Sequence, residues 1–313
     1  MRPSLLLVLL LAPALAWADD VANEFGGHTK FRAVGQSYPD DSVYRDVVGS
    51  TALEALGDLR LHLDSKAGRW SFDVDYQLVG LQAESLPSTG LPNDDRRYLD
   101  LTSVIDEGSN SALLHRLDRL WVGYTSEKAV VRLGRQALSW GNGLFYAPMD
   151  LVNPFDPASI DTEYKVGDDM LYLQYLRDSG DDLQAAYVAR RDPLTGDASG
   201  DEATAAFKYH GFTGAAEYDV LIAQSYGDTV LGIGTSRGIG GAVWSADLVV
   251  TDTDRDTCAQ LVTNLSYSWI WGGKNMSGAV EYYYNGFGQR SEAYGPADLA
   301  TNPDLLVRLL RRE

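Results

Sequence analysis

Residues 130–169 read VVRLGRQALSWGNGLFYAPMDLVNPFDPASIDTEYKVGDD, and the change of character inside this stretch decides the fold. An alternating strand runs into residues 138–166, where Gly, Pro, Asn, Trp and Phe crowd together and neither a two-residue nor a 3.6-residue period survives. Such a segment is expected to be an ordered loop. Pro148, Pro154 and Pro157 stiffen its backbone, and Trp140, Phe145, Tyr146 and Phe155 give it apolar surface with which to pack against a wall.

Outward from the loop, the chain reads as hairpins. Leu59, Leu61 and Leu63 alternate with Asp58, Arg60, His62 and Asp64, and after a short turn Trp70, Phe72, Val74, Tyr76 and Leu78 alternate with Ser71, Asp73, Asp75 and Gln77. One face is apolar and the other charged. Runs at 69–80, 167–177, 182–191, 241–251, 257–271 and 277–286 reach the 9–11 residues a strand needs to cross an outer membrane. Short turns at 65–68, 126–128, 178–181, 210–213, 238–240 and 272–275 alternate with longer connections at 38–55, 81–113, 138–166, 192–202, 224–228 and 252–256. That rhythm is expected of a membrane barrel, with short periplasmic turns and long external loops.

Composition agrees. Arg2, the apolar run 5–11 and Ala16-Trp17-Ala18 form a secretory signal peptide over residues 1–18, too short for a membrane-spanning helix. Trp and Tyr occur 7 and 18 times against 8 Phe, a bias that suits a membrane–water interface. A net charge of −18 argues against nucleic acid as a partner. Cys258 is the single cysteine and no Cys/His set has zinc spacing, so neither a disulfide framework nor a metal site is expected. The fold expected is therefore all-β, a transmembrane antiparallel up-and-down β-barrel over residues 19–313. About thirteen strands are visible, and because single-chain bacterial barrels have an even number, a barrel incomplete at the C-terminus is expected.

If the apolar face meets lipid, the opposite face lines a lumen. Asp58, Arg60, Asp73, Asp75, Arg119, Arg132, Gln136, Glu217 and Asp219 are the lumen residues so assigned. Arg135 shares parity with the outward Val131 and Leu133, where a mid-membrane arginine would cost roughly 2–4 kcal/mol, so either a bulge at Gly134 or a position at the headgroup rim is expected. The 138–166 loop is the third long connection, the ordinal place of a constriction loop. Trp140, Asp150, Asn153, Asp156, Asp161 and Glu163 are its candidate constriction residues, against a single Lys165. A compact external cap would use the same residues.

The remaining motifs carry little chemistry. Gly232, Gly234 and Gly238 lack the spacing and the following helix of a phosphate loop, so tight strand packing explains them. His28, His62, His115 and His210 lie in separate strands without a catalytic spacing to Ser or a carboxylate. No catalytic residue and no cofactor is expected.

The signal peptide, the hairpin rhythm and the segments Leu133-Gly-Arg-Gln136, Trp140-Gly141, Pro148-Met-Asp150 and Asn153-Pro-Phe-Asp-Pro157 resemble the porin-like and alginate-export-like superfamily of Gram-negative outer-membrane barrels. The specific motif covers about thirty residues of the expected barrel pattern. The resemblance implies an outer-membrane channel, passive or substrate-selective, for small polar solutes, with outer-membrane lipid and lipopolysaccharide around it. A second reading is a plugged barrel acting as an enzyme or adhesin, or a polysaccharide exporter. Exporters of the alginate type use an arginine-rich lumen, whereas acids outnumber bases here.

Overall fold

The computed structural model describes residues 21–40, 42, 45, 49–84, 91–155, 163–254 and 256–288. The signal-peptide segment and residues after 288 lie outside them. In chain order the strands are β1 (Val21–Ser37), β2 (Thr51–Ala67), β3 (Trp70–Ala83), β4 (Thr102–Glu107), β5 (Ser111–Thr125), β6 (Ala129–Gln136) and β7 (Asp168–Leu176). They continue as β8 (Asp182–Arg191), β9 (Ala198–Thr213), β10 (Ala216–Ser225), β11 (Asp228–Ile239), β12 (Ala242–Asp252), β13 (Thr257–Trp271) and β14 (Lys274–Asn285). Every ladder is antiparallel, and each strand pairs with its sequence neighbour except that β3 pairs with β5. β4 lies off this path on β5, inside the connection expected over 81–113. Among the described residues β1 and β14 pair only with β2 and β13 and form the two edges of the sheet.

The two-residue period sorts the side chains as the hairpin pattern requires. Leu53, Leu133, Leu171, Leu173, Tyr187, Phe207, Ile222, Leu231, Ile233, Leu265 and Tyr282 are exposed on one face. On the other, Arg60, Asp73, Asp75, Gln77, Arg190, Lys208, Asp219, Asp247 and Asn264 are buried. A water-soluble sheet would do the reverse; this is the transmembrane barrel pattern, with the apolar belt outward. Phe72 departs from its outward-facing neighbours Trp70 and Val74 in being buried. Near the short turns the belt ends in paired aromatics: Trp70 meets Tyr124 edge-on at 5.1 Å, Tyr209 meets Tyr218 at 5.7 Å and Tyr267 stacks on Trp269 at 6.0 Å. Amphipathic rings at that depth form an interfacial girdle. An antiparallel barrel with its apolar face outward belongs in a bacterial outer membrane.

The alternation of short and long connections holds except at one place, between β10 and β11; 253–256 is again longer than the two-residue turns on either side of it. The connection expected over 224–228 is a two-residue turn, Tyr226-Gly227, with both residues at positive φ (51° and 84°), as a tight hairpin of this twist requires. β9 runs to Thr213, so the turn expected over 210–213 is the two-residue turn 214–215 just beyond it. A flat sheet of this size would hold its edge strands about 58 Å apart. Yet Lys30 on β1 and Glu281 on β14 both reach the connection between β6 and β7, so the sheet is rolled around it.

Candidate functional site

The β6–β7 connection lies inside the rolled sheet. Its first half is fixed by directed hydrogen bonds to inward-facing side chains of distant strands. Trp140 Nε1 donates to Gln184 on β8 at 2.7 Å. The backbone N–H and side-chain amide of Asn142 donate to the two carboxylate oxygens of Asp247 on β12 at 2.6 and 2.7 Å, while the Asn142 carbonyl accepts from Asn264 on β13 at 2.8 Å. Three successive N–H groups, of Leu144, Phe145 and Tyr146, converge on the Glu281 carboxylate of β14. Tyr146 also stacks on Tyr283 at 4.3 Å. The last residues of the loop cross to the opposite wall: Glu163 pairs with Lys30 at 2.5 Å, and the Tyr164 ring stacks on His28 and lies 4.3 Å under the Arg60 guanidinium.

An apolar seat lies beneath these contacts. Met149, fully buried, and Trp140 pack with Tyr172, Ala186, Ala206, Leu221, Ala223, Val230 and Val249, all on the inward face of β7–β12. Val152 packs with Met170 and Val188. Gly232 and Gly234 complete the seat. A Cβ on Gly234 would stand 2.6 Å from Asp247 Oδ1, 3.0 Å from the Asn142 amide nitrogen and 3.1 Å from Met149 Sδ, so no larger residue fits while the loop is in place. Gly234 thus makes room for the loop, whereas Gly232 lies against Leu221 of the paired strand, 3.2 Å from its Cβ, as tight strand packing expects.

Of the candidate constriction residues, Trp140 and Asp150 are buried, and Asn153 takes a positive φ of 48° with its amide directed at the Gly167 carbonyl. Asp156 and Asp161 lie outside the described residues. Asp150 is engaged by Lys165 from the far end of the same loop at 2.6 Å, and Lys165 also donates to the Leu138 carbonyl and to Ser139, tying the two ends together. Burial pushes the Asp150 carboxyl up to about 6 against the pull of Lys165, and burial likewise lowers the Lys165 ammonium against the pull of Asp150. Two of the four loop acids therefore have a cationic partner, and the charge they present to the lumen is smaller than their number implies.

The lumen residues sort into networks. A register shift between β3 and β5 at Asp75/Tyr76 leaves Asp118 as an extra residue on β5. Asp118 takes Arg60 at 2.9 Å and Arg119 at 3.0 Å, with Arg116 at 3.9 Å, and Arg119 continues to the Lys165 carbonyl. Asp75 lies 3.6 Å from Arg60 and bonds His62; Asp58 accepts from Gln77 at 2.6 Å. Arg132 covers the Trp121 and Tyr172 rings, Gln136 bonds the Met170 carbonyl, Asp219 pairs with Lys208 at 3.2 Å, and Glu217 is exposed beside the short turn.

Arg135 takes neither expected course. The ladders on both sides run through Gly134 without a shift, and Arg135 is buried rather than at the headgroups. Residues 91–101 cover it, with Asp94 accepting at 3.0 Å and the Leu99 carbonyl at 2.6 Å, and Asp169 on β7 accepts at 3.0 Å. Burial pulls the Asp94 carboxyl upward, but Arg135 and Arg97 outweigh it and hold it below the ordinary range.

Sequence spacing also missed carboxylates opposite histidines, because the pairs form across hairpins. His62 faces Asp75 and His210 faces Asp219 in directly opposed register, and both are hydrogen-bonded. Hairpin register was the signal that could have found them.

No protein-family model and no curated protein matches the chain. Among solved structures it is similar to a BenF-like porin from Pseudomonas fluorescens Pf-5, at 12% identity over 86% of this chain and 68% of that one, TM-score 0.46. It is also similar to Acinetobacter baumannii OccAB1, at 10% identity over 89% and 70%, TM-score 0.49. A third is an anion-selective porin from Comamonas acidovorans, at 15% identity over 85% and 79%, TM-score 0.43.

Proposed function

We propose that the protein is an outer-membrane channel that passes small polar solutes through a lumen narrowed by the 138–166 connection, with lipid and lipopolysaccharide against its outer belt. The observation that carries this reading is the loop's position, hydrogen-bonded to β8, β12, β13 and β14 at one end and reaching β1 and β2 at the other. A loop so placed narrows the path, and the charged wall from β2 to β5 borders what is left. Trp140 and Asn153 shape the loop, and Glu163, paired with Lys30, ties its far end to the wall; Asp156 and Asp161 are assigned to the constriction by their place in the sequence alone. Asp58, Asp73 and Asp75 give the wall its negative side, Arg60, Arg119 and Arg132 its positive side, and a low-dielectric surround focuses the resulting field. With acids in excess, small cations and neutral polar solutes pass in preference to anions.

Swelling of liposomes containing the full-length protein, in a series of neutral sugars, tests the channel itself. Swelling should fall steeply with solute size, and no swelling with any solute would contradict the reading. Reversal potentials in a salt gradient test the preference, which an anion-selective result would overturn.

A further inference from the structure

The β2–β3 hairpin carries a group of side chains that solute passage does not explain. His62 and Asp64 on β2 stand directly opposite Asp75 and Asp73 on β3, two residues apart on each strand and on the same face. His62, Asp73 and Asp75 each offer a ligand atom, and these atoms all lie within 4.8 Å of one another. The imidazole is held from both sides: Nδ1 meets Asp75 Oδ1, and Nε2 meets Asp64 Oδ2 at 2.9 Å. Asp73 is the residue that calls for a ligand. It is 9% exposed, and its Oδ1 is shielded from solvent with no hydrogen-bond partner. A buried carboxylate oxygen left unbonded is costly, and like charges directly opposed across a ladder repel.

We infer that this cluster binds a divalent first-row metal ion, with His62 Nδ1 and the carboxylates of Asp73 and Asp75 as ligands and water completing the shell. One imidazole with two carboxylates suits Zn²⁺ and its neighbours better than Mg²⁺ or Ca²⁺, which favour all-oxygen shells. Asp64, on the other ring nitrogen, is a positioning residue that fixes the ring's orientation and raises its basicity as a donor. Arg60, 3.6 Å from Asp75 Oδ2, holds the second oxygen of that carboxylate and leaves Oδ1 for the ion. Binding displaces the contact between His62 Nδ1 and Asp75 and releases any proton held there, so affinity rises with pH while the imidazole is being deprotonated. The hairpin is continuous and turns tightly at Gly68-Arg69, so the ligands sit on rigid backbone.

The test is equilibrium titration of tag-free, chelator-treated, folded full-length protein in detergent with Zn²⁺, and with Co²⁺ for its visible spectrum. One ion per chain should bind, with proton release measurable in buffers of different ionisation enthalpy. His62→Ala and Asp73→Asn should abolish stoichiometric binding, and Asp64→Asn should weaken it by about 10–100-fold. Asp58→Asn, a neighbouring lumen carboxylate outside the cluster, should bind as the parent does. Asp73→Asn preserves side-chain shape and carries the test if His62→Ala does not fold. Absence of one-to-one binding in the parent, or equal binding in Asp73→Asn, overturns the assignment. The titration reads the site whether or not the barrel conducts.

Discussion

From β7 to β12 the inner wall sets an apolar patch of Ala186, Ala206, Leu221, Ala223, Val230 and Val249 among Arg190, Lys208, Asp219 and Asp247, whereas from β2 to β5 it presents Arg60, His62, Asp73, Asp75, Asp118 and Arg119. Both halves are built from the same alternating strands, and both face the interior. The apolar half is covered by protein, the Trp140–Met149 segment of the loop; the charged half is held largely by ion pairs formed within the wall itself, with Asp73 Oδ1 left over. An inward-facing apolar patch in a barrel is thus the footprint of something lying on it, as exposing it to lumen water would forfeit the stabilisation of burial.

The contrast breaks most severely where the loop brings its own charge onto the apolar half. Lys165→Met leaves Asp150 buried without its cation and should lower the stability of loop docking by about 3–5 kcal/mol, read by hydrogen exchange of the loop amides. The paired replacement Asp150→Leu/Lys165→Met should recover most of that loss, because a buried ion pair exchanged for apolar side chains is near neutral. Failure of the double variant to recover would show that the pair contributes more than mutual neutralisation. Next in size is Met149→Ala, which opens a cavity in the apolar seat. It should cost about 2–5 kcal/mol of loop docking, seen as faster proteolysis between residues 141 and 163, while the barrel's heat-resistant band stays unchanged.

Why one half was legible in the sequence and the other was not follows from the same contrast. The strands of the charged half announce themselves by alternation, and 57–64 with 70–78 gives Arg60, Asp73 and Asp75 their orientation directly. On the other half, alanine, valine and glycine at inward positions break the apolar-out, polar-in rule, so Leu221, Val249 and Gly234 resist assignment by period alone. The loop's interior course depends on partners more than a hundred residues away, such as Asn142 on Asp247, and local pattern does not encode them. Arg135 was hidden for the same reason, since its partner Asp94 lies 41 residues away in another connection.

Smaller effects sharpen the comparison. Trp140→Phe keeps the ring in the apolar seat but removes the donor to Gln184, and should cost about 1 kcal/mol of docking in the same exchange measurement. The pH dependence should be smaller still. A carboxyl whose folded value is raised, as Asp150's is to about 6 from 3.8, contributes stability that is fully present below 3.8 and lost as pH rises through 6. Protection of the loop against protease should therefore decline between about pH 4 and pH 7 in the parent and remain flat in the Asp150→Leu/Lys165→Met variant.

The central claim, that the loop lies on the apolar wall and narrows the lumen, is tested most directly by single-channel conductance of the full-length protein in planar bilayers, parent against Gly234→Leu. A leucine there collides with Asp247, Asn142 and Met149 and should unseat the loop without touching the ladder. The account expects discrete openings in the parent and a larger unitary conductance in the variant. A silent parent, or a variant with the parent's conductance and a displaced loop, would contradict it.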